Sequence, residues 1–150
     1  MKLPPGATGF GTISYTAQED LRALAAICHH AARRTGATVT DLLPVGATPN
    51  FHTATIAYSD SAVAVLRHGL LPWLALAQPA PSGQVPRDWI DRADLADAIR
   101  EVSDLRLLTR TELLQPPTTA DLEDLRPHEV KQIGYWRPTT VGDLLFNLWD

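Results

Sequence analysis

Residues 51–78, Phe-His-Thr-Ala-Thr-Ile-Ala-Tyr-Ser-Asp-Ser-Ala-Val-Ala-Val-Leu-Arg-His-Gly-Leu-Leu-Pro-Trp-Leu-Ala-Leu-Ala-Gln, decide the fold. Residues 51–58 combine β-branched and aromatic side chains without a helix signal. Ser59-Asp60-Ser61 is a short polar turn, and 62–67 continue as a second strand, so the pair is expected to form a hairpin. His68-Gly69 turns the chain again into 70–78, an almost wholly apolar strand that Pro72 places at a bulge or an edge. Helical signals flank this β-rich centre on both sides, and the expected class is α+β: a mostly antiparallel sheet with helices packed on one face and a C-terminal helix closing the core.

Toward the amino terminus, Thr16 and Glu19 stand at capping-box spacing, and Leu21, Leu24, Cys28 and Ala31 or Ala32 follow at helical intervals. Arg33 and Arg34 suit the negative end of a helix, and Gly36 suits its C-terminal cap, which predicts a helix over 17–34. Residues 37–43 read as a short edge strand and 44–49 as a loop. Residues 1–15 are rich in Pro and Gly and read as an irregular lead-in to one α+β domain over 1–150. Toward the carboxyl terminus, 79–83 is a loop and 85–90 a further strand. Asp91 and Asp94 open a second helix with Leu95, Ile99 and Val102 inward. Residues 105–108 read as a strand, Thr109 and Glu112 cap a short helix, and 115–119 form a Pro/Thr loop before the acidic run 121–124. Residues 129–136 stay open between strand and helix.

The closing stretch 134–150 is Gly-Tyr-Trp-Arg-Pro-Thr-Thr-Val-Gly-Asp-Leu-Leu-Phe-Asn-Leu-Trp-Asp. Pro138 stops what precedes it, and Thr140 with Asp143 stand at capping-box spacing. Val141, Leu144, Leu145 and Leu148 then form an i, i+3, i+4, i+7 stripe. Its aromatic residues mark a clamp, with Trp136 and Trp149 expected to be largely buried. The run Tyr-Trp-Arg-Pro-x-Thr-Val-Gly-x-Leu-Leu-Phe-Asn-x-Trp-Asp resembles the C-terminal signature of a group of small bacterial proteins from GC-rich genomes. The similarity extends more weakly to Asn50-Phe51-His52 and to 71–77. The resemblance implies a self-contained domain and brings no catalytic residue with it.

At 150 residues, with 45% hydrophobic and 20% charged content, the chain has the size and composition of an ordinary globular domain. Its net charge of −4 argues against nucleic acid or an anionic membrane as partner. Lys2 and Lys131 are the only lysines, which with abundant Ala and Pro reflects GC-rich coding. The opening residues lack the apolar core of a signal peptide, and Arg67 with His68 interrupts the most apolar run. The expected location is the cytoplasm.

Candidate chemistry is sparse. Cys28-His29-His30 lie on the first helix, where adjacent side chains diverge by about 100° and cannot converge on one ion. No metal and no cofactor are expected. His52 and His68 have positions that average to 60. A hairpin centred on Asp60 would therefore set them opposite each other, within about 5 Å, for acid–base work with Asp60 or Asp41. Asp94, Asp97 and Glu101 form an acidic stripe on the second helix, preceded by Asp88 and Asp91. Asp121, Glu123 and Asp124 form another. Both fit a cationic protein partner. Tyr135, Trp136 and Arg137 are residue types that anchor either a core or an interface. Gly6, Gly9 and Gly11 have the wrong order for a dinucleotide loop, and neither G-x-S-x-G nor H-E-x-x-H occurs.

The expected function is protein binding, most specifically as an immunity- or antitoxin-like inhibitor of a basic partner; a homodimer is compatible with this. The alternative is a small-molecule enzyme or ligand-binding domain with its pocket near His52 and His68.

Overall fold

The computed structural model describes residues 1–9, 16–46 and 48–149. Its centre is the expected hairpin: β2 (Phe51–Ala57) pairs antiparallel with β3 (Ala62–His68), and Tyr58 N–H closes the turn onto Ser61 C=O at 2.8 Å. On one side β1 (Thr38–Leu43) adds antiparallel to β2 as the predicted edge strand. On the other, β4 (Trp73–Ala77) pairs antiparallel with β3, and β5 (Arg106–Leu107) pairs parallel with β4. The sheet order is β1-β2-β3-β4-β5. Leu70, Leu71 and Pro72 precede the strand that they were expected to open. Of the strand predicted over 85–90, only a single bridge forms, between Ala77 and Trp89.

Alternation along the strands sends side chains to two cores. Ala54, Ile56, Val63, Val65, Leu74 and Leu76 face α1 (Ala17–Thr35) and α2 (Ala93–Arg100), where Leu24, Ile27, Cys28, Leu95 and Ile99 complete the layer. Phe51, Ala64, Leu66, Trp73, Ala75 and Ala77 face the other way. There α3 (Arg110–Leu114), α5 (Val141–Leu145), the amino-terminal arm and Phe146 close over them. The α+β class is the expected one, but helices cover both faces of the sheet rather than one, with the C-terminal helix sealing the side opposite α1 and α2. Both sheet edges are blunted against further pairing. Edge strand β1 carries a register shift between Val39 and Asp41 and is followed by Pro44, and β5 is only two residues long.

Local signals act where they were predicted. Gly36 adopts a left-handed conformation (φ 75°) and caps α1, and Thr109 with Glu112 forms a complete capping box on α3. Thr16 departs from its predicted role: its hydroxyl contacts the Asp20 carboxylate at 3.1 Å and makes no cap to the helix backbone. Residues 129–136, left open by the sequence, belong to α4 (Pro127–Trp136), which has Pro in its first turn and Glu129 reaching back to Arg126 N–H at 3.1 Å. Three expected core positions lie outward: Val102 is 48% exposed, Trp136 39% and Leu148 38%. Helix α5 stops at Leu145, one turn short of the predicted stripe, so Leu148 leaves the apolar face.

The lead-in is not a loose arm where the structure describes it. Leu3, Ala7 and Thr8 are fully buried; residues 10–15, the remainder of the predicted lead-in, lie outside the described residues, as do 47 and 150. Glu129, itself fully buried, accepts from Gly6 N–H at 3.1 Å, Thr8 N–H at 3.2 Å and Thr8 hydroxyl at 2.8 Å. Burial pushes its carboxyl up, but the hydrogen bonds from Arg126, Gly6 and Thr8 outweigh that and hold it below the usual range. A second seam joins the two ends of the chain. Asn50 donates to Thr8 C=O at 3.2 Å and to Leu145 C=O at 2.9 Å, while Asn147 N–H donates to Asn50 Oδ1 at 2.9 Å.

Candidate functional site

The two histidines are separated by the sheet. The hairpin register pairs His52 with Arg67 and Phe51 with His68, one residue away from symmetry about Asp60. Because the side-chain period is two, that offset sends His52 and His68 to opposite faces. His68 is fully buried beside Phe146 in the core closed by α5. Its Nδ1 accepts from Leu70 N–H (3.1 Å) and Leu71 N–H (2.9 Å), so Nε2 carries the proton that is donated to Ala7 C=O at 2.8 Å. Burial pushes its pKa down to about 4. His52 faces the α1 layer, where Val45 N–H donates to its Nδ1 at 2.8 Å. Burial first and the Arg67 charge second lower its pKa, against Asp20. Asp60 sits exposed in the turn at the far end of the strands, bonded by the Ser61 hydroxyl at 3.2 Å. Asp41 lies on exposed β1, lining a groove of about 430 Å³ with Leu43, Phe51, Pro81 and Leu148; neither histidine lines it. The expected acid–base grouping is therefore not assembled.

Cys28, His29 and His30 diverge as helix geometry requires. Cys28 is fully buried, His29 is exposed, and His30 Nε2 lies 3.5 Å from Glu101. Burial pushes the Cys28 thiol up to about 12, far from the thiolate form that alkylating reagents need. Native protein at pH 8 should thus resist iodoacetamide on the hour scale and take up one equivalent on denaturation. Rapid labelling of the native form would show that the thiol is accessible. No group of three or more His, Cys, Asp or Glu side chains converges to hold a metal among the described residues.

The acidic segments are largely neutralised by their own neighbours. Asp94 pairs with Arg92 at 3.1 Å, Asp97 with Arg100 at 3.7 Å and Glu101 with Arg34 at 3.2 Å. The Arg34 hydrogen bond holds the Glu101 carboxyl below its usual range. Asp121 accepts from Thr118 N–H and is paired with the terminal amine at 3.1 Å. Glu123 and Asp124 share Lys2 at 3.5 and 3.6 Å. These cations offset part of the negative charge that either segment would offer a cationic partner.

The outward-facing aromatic residues are different. Tyr135 is 76% exposed and meets the Trp136 ring edge-on, with centroids 5.1 Å apart. Trp136 stacks on Trp149, with centroids 6.1 Å apart and planes 3° from parallel, and its indole N–H donates to Gln132 at 3.1 Å. Three aromatic rings from two separated segments therefore form one surface at the end of α4. The chain matches no family model, no curated protein and no solved structure. The aromatic surface is thus weighed on its own chemistry. The residue types of Tyr135, Trp136 and Arg137 are legible in the sequence; Trp136, expected in the core, lies outward, whereas Trp149 is partly buried against the core as well as stacked on Trp136. The sequence pattern also does not show that α4 sets Lys131 one turn from Tyr135. The Arg-Pro-x-Glu start at Arg126–Glu129 was the available signal, a helix-opening pattern that sets the phase of every later residue in α4.

Proposed function

We propose that this protein is a protein-binding module that engages its partner through the surface of α4 and the aromatic residues Tyr135, Trp136 and Trp149. The observation that carries this reading is the exposure of Tyr135 and Trp136 beside a stacked Trp149. Tyrosine and tryptophan offer large contact area at low conformational cost, and they dominate the energetics of known interfaces. Stacking fixes the Trp136 and Trp149 rings before any partner arrives, which lowers the entropic cost of binding. An immunity- or antitoxin-like inhibitor is the specific form of this reading. Local ion pairing of Asp94, Asp97, Glu101, Asp121, Glu123 and Asp124 weakens those residues as its contact, so the aromatic surface carries the reading better. The small-molecule alternative loses its main support with the separation of His52 from His68.

The test is affinity capture from the native host, followed by binding measurements on the captured partner. Tyr135→Ala and Trp136→Ala should each weaken the complex by about 2 kcal/mol or more, roughly thirtyfold. Tyr135→Ala should leave the melting temperature nearly unchanged, since an exposed substitution costs under about 0.5 kcal/mol. A partner held equally well by both variants would move the contact elsewhere.

A further inference from the structure

Building on that aromatic surface, we infer that the partner segment it receives is acidic: a stretch of protein bearing Asp or Glu side chains next to an apolar anchor, laid along α4. Seven of the thirteen Lys and Arg side chains are in ion pairs with described residues. Three of the other six, Arg126, Lys131 and Arg137, lie on or at the ends of α4, a helix about 15 Å long. The only acid between Arg126 and Arg137 is Glu129, which is turned inward and taken up by Gly6, Thr8 and Arg126. The outward face of α4 is therefore positive on a protein of net charge −4.

Helical spacing arranges this face for recognition. Val130 stands one turn from Arg126 and two turns from Arg137, and Lys131 stands one turn from Tyr135. Cations thus flank both an apolar contact and the exposed ring. The backbone adds an independent observation. Arg137 caps α4 at φ 51°, the left-handed conformation that glycine adopts without strain. Strain kept at an exposed cation that has no ion pair among the described residues, beside the aromatic rings, points to use of that side chain. Three cations on one short helix do not form the extended positive groove that follows a single-stranded nucleic acid, nor the dense basic face of a membrane-surface helix. An acidic protein segment is the polyanion that fits the size.

The probe is a display library of random peptides about twelve residues long, selected on the intact protein, with the Tyr135→Ala/Trp136→Ala double variant as counter-target. Selected peptides should combine Asp or Glu with an aromatic or branched apolar residue. Synthesised, they should lose about tenfold or more in affinity to Lys131→Glu/Arg137→Glu, and weaken as salt rises from about 50 to about 300 mM. Arg137→Gly should lose affinity while its melting temperature stays level or rises. Peptides that need Tyr135 and Trp136 but are neutral or basic, and are indifferent to Lys131→Glu, would overturn the acidic partner and leave the aromatic surface standing. Peptides that bind without need of Tyr135 and Trp136 would overturn the surface itself. Tighter binding of oligo-dT or phosphatidylglycerol vesicles through the same cations would overturn a protein partner.

Discussion

A chain ending at Thr140 should be insoluble or molten, without a cooperative melting transition. The residues beyond it include Val141, Leu144, Leu145 and Phe146, all fully buried, and Asn147, nearly so. Burying one such apolar side chain stabilises by about 1.5–3 kcal/mol, and a whole domain is stable by only about 5–15 kcal/mol. Losing the segment also exposes Phe51, Trp89 and His68, whose rings surround Phe146 with centroids 5.5–5.9 Å away. Packing here is close enough that a methyl group on Gly142 would lie 2.5 Å from the Trp89 indole nitrogen. Phe146→Ala alone should therefore cost about 3–5 kcal/mol in chemical denaturation. Leu148→Ala, on a half-exposed residue past the helix end, should cost well under half of that. A truncated protein that melts cooperatively at the full-length temperature would refute this placement of the core.

Features set by neighbours in sequence were legible, and features set by distant partners were not. The 51–67 hairpin, the Gly36 cap and the Thr109–Glu112 box each depend on a few adjacent residues, and each forms. The hairpin register was missed by one residue, because composition located the turn but not which pair of residues closes it. That single residue decided the fate of the histidine site, since it placed His52 and His68 on opposite faces. The predicted C-terminal helix ran too far for a different reason. Periodicity favoured Leu148, but Asn147 bonds to Asn50, ninety-seven residues away, and the helix has already ended at Leu145. Nothing adjacent in sequence marks Glu129 as buried, because its partners, Gly6 and Thr8, lie over 120 residues away. The aromatic surface was half legible: the residue types were noticed, while their exposure depended on where α4 begins.

Acid should destabilise this protein in two successive steps as pH falls from 7 to below 4. The first comes from the histidines. His68 is held at about 4 against an ordinary value of 6.5, so the unfolded chain takes up its proton first. Stability from its neutral form is fully present above pH 6.5 and is lost as pH falls toward 4, by up to about 3 kcal/mol. The cause is structural, since a proton on Nδ1 would replace the acceptor that now holds Leu70 and Leu71 N–H. His52 is lowered too and acts in the same direction. The second step belongs to Glu129. Its depressed carboxyl contributes stability above its unfolded value, and that contribution is lost as pH falls through the folded one. Protonation there would weaken the bonds that tie Gly6 and Thr8 to α4. Denaturation midpoints measured at half-unit pH intervals should therefore fall steadily below pH 6.5 and steepen below about 4.5. His68→Gln should flatten the upper part of that curve, and Glu129→Gln the lower part, whatever each does to stability at pH 7. A midpoint unchanged between pH 7 and 4 would mean that His68 is protonated in the folded state without loss of its contacts, and the buried-neutral assignment would be wrong.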